Sequence, residues 1–129
     1  MIIARILGTV VSTQKDERLL GKKLIKGMAH ITGGGITENL PRILPRGTGA
    51  IVDLAAWEVP AIFQWLQRSG DVPIDDMLRT FNMGVGLIVV TARDQAESLI
   101  HELAAHGGRG ARVIGMIVPS DVPSVTYRG

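Results

Sequence analysis

The sequence predicts an α+β fold, a mixed β-sheet with helices packed on one face, and three observations carry that expectation. Short runs rich in β-branched and apolar residues recur at 2–12, 18–26, 48–53, 86–90 and 111–118. Segments with helical spacing, opened by proline and closed by glycine, alternate with those runs through the C-terminal two-thirds. No repeat, low-complexity stretch or Pro/Gly-rich linker divides the 129 residues, so they read as a single domain.

Residues 2–12 and 18–26 flank the polar stretch 12–17 and read as an N-terminal β-hairpin. Gly33-Gly34-Gly35 breaks the strand pattern, and a short helix is expected from about Thr37 to Leu44. Pro41 fits such a helix only near its first turn. Thr48 to Asp53 makes a short buried strand. Pro60 suits the first position of a second helix, whose apolar side is Ile62, Phe63, Leu66 and Trp65 and whose end is Gly70. Pro73 starts a third, with Asp75 and Asp76 placed well for the positive end of the helix dipole. Gly86 to Val90 is a strongly apolar strand. Thr91-Ala92-Arg93-Asp94 has the spacing of a capping box, with Asp in place of Glu or Gln. The helix after it carries Ala96, Leu99, Ile100, Leu103 and Ala104 on one face and ends at Gly107. Ala111 to Val118 is a last full strand, and residues 124–127 add a short edge.

Composition narrows the function classes. Cysteine is absent, which removes disulfides, thiolate metal sites and cysteine nucleophiles. The net charge is only +2, and the densest basic stretch, Lys22, Lys23 and Lys26, has no aromatic residue among it. Nucleic-acid binding by stacking and phosphate contacts therefore lacks its usual residues. No apolar run reaches the ~18 residues of a membrane span, and the N-terminus lacks the order of a signal peptide. A cytoplasmic location without membrane contact is the expectation.

Chemistry concentrates at His30-Ile31-Thr32-Gly33-Gly34-Gly35. Three glycines before a helix let the backbone approach a ligand and turn N–H groups toward an anion. Thr32 and Thr37 add hydroxyls, and His30 stands at the strand end, able to donate to a phosphate or carry a proton. No Gly-Lys-Ser/Thr follows, so this is not a Walker loop. A tight strand-to-helix turn would explain the glycines equally well, and both readings stay open. The same holds for Asn82-Met83-Gly84-Val85-Gly86, where glycine permits either ligand approach or close packing. The three histidines show no metal-ligand spacing, and His106 reads as a cation suited to a helix C-terminus, so no metal site is expected.

Motifs in order along the chain add a family resemblance. Lys26-Gly27-Met28-Ala29-His30-Ile31-Thr32-Gly33-Gly34-Gly35 is followed closely by Glu38-Asn39-Leu40-Pro41-Arg42. Next come Trp57-Glu58-Val59-Pro60-Ala61-Ile62-Phe63, then Met77-Leu78-Arg79-Thr80-Phe81-Asn82-Met83-Gly84-Val85-Gly86, then Val113-Ile114-Gly115-Met116-Ile117-Val118. Over residues 25–119 these resemble the C-terminal domain of aminoimidazole ribonucleotide synthetase, the purine-biosynthetic phosphoribosylformylglycinamidine cyclo-ligase.

The resemblance implies an enzyme that uses ATP and magnesium to activate a formamide oxygen before a nitrogen attacks and the imidazole ring closes. In that family the N-terminal domain supplies most ATP and metal ligands and the dimer interface. The resemblance implies a catalytic part for His30 and a place for the glycine loop facing the active-site cleft; phosphate or substrate contacts are expected at Thr32, Gly33, Gly34, Gly35, Asn82 and Gly84. This sequence shows no counterpart of that N-terminal domain, nor of the Ser- and Asn-containing segment that opens the C-terminal one. The chain alone is accordingly expected to be non-catalytic, with His30 vestigial, no cofactor of its own and weak phosphate or ribonucleotide affinity. The alternative is a half-enzyme that works once a separate N-terminal domain is supplied.

Residues 1–24 resemble something different. Ile3-Ala4-Arg5-Ile6-Leu7-Gly8-Thr9-Val10-Val11-Ser12-Thr13-Gln14-Lys15 and Leu19-Leu20-Gly21-Lys22-Lys23-Leu24 look like the opening hairpin of pentameric vertex proteins of carboxysome and ethanolamine-utilisation shells. The resemblance implies a natural or engineered chimera joined near residues 24–26, with residues 120–129 as a tail or edge strand. A hairpin there would cover a sheet edge left open by the truncated synthetase domain, or the edge would be buried in a homodimer. A shell-associated, oligomerising protein is the third functional alternative.

Overall fold

The computed structural model describes residues 2–6, 25–108 and 110–129, and for 2–6 the backbone course alone. Six strands form one sheet: β1 (Ile2–Ile6), β2 (Ile25–His30), β3 (Thr48–Asp53), β4 (Leu87–Thr91), β5 (Arg112–Pro119) and β6 (Val125–Arg128). Their order is β2-β4-β1-β5-β3-β6. The pairs are antiparallel except β3–β6, which is parallel, so the sheet is mixed as expected.

Four α-helices join the sheet: α1 (Gly35–Asn39), α2 (Ala61–Gly70), α3 (Ile74–Thr80) and α4 (Ala96–Ala105). A 3-10 turn, Leu40–Ile43, extends α1. Pro60 and Pro73 sit at the N-cap, one residue ahead of α2 and α3. No helix among the described residues is long and apolar enough to cross a membrane.

β4 explains how the layers are arranged. Its residues Ile88, Val89 and Val90 are all buried, the signature of a strand covered on both faces. Ile88 and Val90 join the main core with Ile36, Leu40, Val52, Trp57 and Met77. Val89 faces the other way, into a smaller cluster with Leu99 of α4, bordered by Ile25, Leu87 and Leu103. The expectation of helices on one face is therefore amended. Residues 35–80 supply the helices of that face, and α4 adds a second layer behind the sheet.

Three local expectations also change. Thr91 does not open a capping box, because it is fully buried as the last residue of β4. The helix begins only at Ala96, after the 3-10 turn Arg93–Gln95, and neither N-cap shows a side-chain cap. On α2, Phe63 and Leu66 pack on the core, whereas Ile62 and Trp65 are 55% and 60% exposed. Those pairs form separate i,i+3 stripes, about 100° apart around the axis, and a helix resting on one layer buries only one.

The N-terminal hairpin is the largest departure. Most of it, residues 7–24, lies outside the described residues. The described part, β1, pairs with β4 (Ala4 opposite Val89) and with β5 (Ile3 opposite Gly115), while β2 pairs with β4. β1 is thus an inner strand of the sheet, and the edges are β2 and β6. A β-branched apolar run such as Ile2-Ile3 suits an inner strand. It does not act as a patch over an exposed edge.

Candidate functional site

The two glycine-bearing loops meet at one end of the sheet. β2 ends at His30, opposite Leu87 at the start of β4, and the Ile31 N–H donates to the Gly86 carbonyl at 2.9 Å. Antiparallel pairing therefore places the loop leaving β2, residues 32–35, beside the loop entering β4, residues 82–86. Both loops singled out by their glycines in the sequence are thus neighbours in the structure.

The first loop is a fixed turn in which the glycines are unequal. Gly34 and Gly35 have φ of 95° and 61°, in the left-handed region that favours glycine. A Cβ on Gly35 would collide with the Leu78 carbonyl oxygen and lie 2.7 Å from that of Phe81. A Cβ on Gly33 would meet nothing within 4 Å. The Gly35 N–H donates to Thr32 O at 3.0 Å and the Glu38 N–H to Gly34 O at 3.1 Å. Gly35 thus serves backbone packing, whereas Gly33 stands exposed beside the half-exposed Gly34.

Asn39 stitches this turn. Buried in the last position of α1, its Nδ2 donates to the carbonyls of Gly35 (2.8 Å), Gly33 (3.1 Å) and Thr32 (3.4 Å). Asparagine is a poor helix-interior residue because its side chain competes for backbone partners, and here that competition fastens the loop. An Asn four residues beyond a glycine triplet was the available signal, and sequence reasoning passed over it.

Thr37, expected to offer a ligand hydroxyl, is committed internally. Its Oγ1 donates to Leu78 O at 3.2 Å and lies 2.8 Å from the Tyr127 hydroxyl. Burial pushes the Tyr127 phenol upward, against the opposing effects of the Thr37 hydrogen bond and the Arg79 charge.

The second loop is held from both sides. Asn82 accepts the Gly84 N–H on its side-chain oxygen at 2.9 Å and the Val85 N–H on its carbonyl at 2.9 Å. Met83 has φ of 52° and Gly84 of 90°. A left-handed Met costs on the order of 1 kcal/mol and persists where its surroundings fix it. The buried indole of Trp57 does so, donating to the Met83 carbonyl at 3.0 Å.

His30 and Thr32 are exposed. Strand alternation turns Ala29 into the core and the His30 ring to the other side of the sheet. Among the described residues the ring makes no hydrogen bond. His101 is exposed on α4, and the Nδ1 of His106 lies 2.8 Å from the Glu102 carbonyl at the end of that helix.

Electrostatically the loop is less inviting to an anion than its glycines suggest. The Glu38 carboxylate lies beside Gly34, where an added Cβ would meet its Oε2 at 2.6 Å. A negative ligand there meets like charge, and α1 has only five residues to offset it. No group of three or more His, Asp or Glu side chains among the described residues could hold a metal.

Comparison with known proteins places this geometry. Residues 4–128 match the family described as AIR synthase related protein, C-terminal domain. A phosphoribosylformylglycinamidine cyclo-ligase of Neisseria meningitidis is 49% identical over 98 residues, covering 76% of this chain and 28% of that protein. The corresponding enzyme of Chromobacterium violaceum is 57% identical over 83 residues, 64% of this chain and 24% of its own. The bifunctional purine biosynthetic protein ADE1 of Schizosaccharomyces pombe is 49% identical over 106 residues, covering 82% and 13%. The chain thus spans between about an eighth and little more than a quarter of these relatives.

Solved structures share the fold at low identity. The HypE–HypF complex aligns with a TM-score of 0.67 at 20% identity, over 98% of this chain and 49% of that one. Thiamine-monophosphate kinase of Stenotrophomonas maltophilia aligns at 0.59 and 19%, over 84% and 33%. The family match starts at residue 4, inside the segment that resembles a shell-vertex hairpin. Most of that segment is therefore part of the family domain by its own sequence, and the vertex-protein fusion finds no support.

Proposed function

The chain belongs to the family of AIR synthase related proteins, as their C-terminal domain, and on that premise we propose that it forms one wall of a cyclo-ligase active site. The observation that carries this reading is the joining of the two glycine loops at one end of the sheet, in a sequence about half identical to cyclo-ligases. Alone the chain is non-catalytic, because phosphoryl transfer depends on positioned cations and phosphate ligands.

In the complete site the exposed Thr32 and Gly33, with Asn82 and Gly84, contact the ribonucleotide. ATP and magnesium are held mainly by the remainder of the enzyme. His30, exposed and without an internal hydrogen bond among the described residues, is available to carry a proton across the cleft. Phosphate affinity of the chain alone is weak, because Glu38 stands beside Gly34.

The test is complementation. The chain is assayed for ATP-dependent cyclisation of formylglycinamidine ribonucleotide, with and without a separately produced N-terminal half from a cyclo-ligase. The reading expects no turnover from either part alone and turnover from the mixture, reduced by His30→Ala. A mixture that binds but never turns over would remove it.

A further inference from the structure

Tyr127 is the sole tyrosine of the chain and sits on β6, ninety residues from the hydroxyl it meets. A threonine hydroxyl has one proton. With that proton given to Leu78 O, the phenol is the donor in the Tyr127–Thr37 bond. A phenol of ordinary pKa already keeps its proton at neutral pH, and burial of Tyr127 acts in the same direction. The result is a directed chain: Tyr127 donates to Thr37, and Thr37 donates to the Leu78 carbonyl.

The end of that chain is the same carbonyl that abuts Gly35 and forbids a side chain there. Leu78 O therefore meets the glycine loop twice, through close contact at Gly35 and through the hydroxyl two residues later. The ring of Tyr127 packs against the main core, so its hydroxyl is aimed by a fixed body. Asn39 fastens the loop to itself, whereas Tyr127 fastens it to the sheet's outer strand.

We propose that Tyr127 is a positioning residue for the glycine loop, holding α1 and Gly33–Gly35 against α3 through the Tyr127–Thr37–Leu78 chain. Tyr127 touches no ligand in this arrangement. Its relevance to substrate binding rests on the reading of the loop as a cleft wall, but the latch itself does not.

Amide hydrogen exchange on the full chain tests the latch in Tyr127→Phe, Thr37→Val and Thr37→Ser. The amides to follow are Gly35 and Glu38, whose hydrogen bonds close the turn, with Ile88 and Val89 of β4 as the reference. Tyr127→Phe and Thr37→Val are expected to speed loop exchange by about fivefold, the size of one net hydrogen bond, and to leave β4 unchanged. Thr37→Ser keeps the hydroxyl and is expected to behave as the parent. Unchanged exchange at Gly35 and Glu38, or an equal rise in β4, overturns the proposal.

The complemented enzyme gives the second readout. There Tyr127→Phe should raise KM for the ribonucleotide with little change in kcat. If the parent mixture shows no cyclisation, the proposed function fails while the exchange result still decides the latch.

Discussion

The unequal glycines of the first loop give a prediction that can be worked through in numbers. Gly35→Ala forces alanine to φ near 61°, costing about 1–2 kcal/mol for the left-handed backbone. Its Cβ also meets two backbone carbonyls, Leu78 and Phe81, which can yield only by moving α3 or its end. Overpacking of that kind costs about 1–3 kcal/mol, so the total is about 3 kcal/mol. Gly34→Ala keeps a backbone penalty at φ of 95°; of its two close obstacles, Glu38 Oε2 at 2.6 Å can swing away, whereas Glu38 Cβ at 2.9 Å yields only by a small shift of α1. About 2 kcal/mol is expected, between the other two variants. Gly33→Ala meets open space and should change stability by under about 0.5 kcal/mol.

Urea unfolding followed by fluorescence reads the series, since one of the two tryptophans, Trp57, is buried in the core. With a slope of about 1.5 kcal/mol/M, Gly35→Ala should lower the midpoint by about 2 M. The reasoning is refuted if Gly35→Ala and Gly33→Ala unfold together, or if Gly33→Ala is the more damaging.

Three further outcomes follow from the same geometry. Asn39→Ala leaves three loop carbonyls without their side-chain donor and should cost about 2 kcal/mol in the same urea assay. Trp57→Phe keeps the aromatic body but drops the bond to Met83 O, so exchange at Gly84 and Val85 should rise severalfold, with about 1–2 kcal/mol lost overall. Tyr127 should ionise above pH 10.0, read as absorbance at 295 nm from the sole tyrosine. Because its folded pKa is raised, this group's contribution is constant below pH 10.0 and falls as pH rises through the folded value. The corresponding loss of stability should be missing in Tyr127→Phe.

Much of the fold was legible because it is written in local pattern. The strand Thr48–Asp53 has the expected bounds, and α2 and α3 begin beside their prolines. The site loops were legible for the same reason, since glycine clusters between strands and helices mark special backbone geometry. What escaped was non-local. Nothing in the run Ile2-Ile3 says that it lies between β4 and β5, because strand order is decided by packing across the whole sheet. The alternation in β4, with Val89 turned toward Leu99, was hidden inside a continuous apolar run. Asn39 and Tyr127 escaped because their partners lie in backbone carbonyls and in a residue ninety positions away. Thr91 shows the opposite error, where a correct local motif yielded to a strand that used its β-branched side chain.

On the proposed function, this domain is a cleft wall whose chemistry depends on a second wall. Complementation tests it most directly, by measuring ATP-dependent ring closure when the chain is mixed with the N-terminal half of a cyclo-ligase. Turnover only in the mixture, weakened by Gly35→Ala in proportion to the loss of loop geometry, is the predicted result. Turnover by the chain alone, or none in a mixture shown to associate, would contradict it.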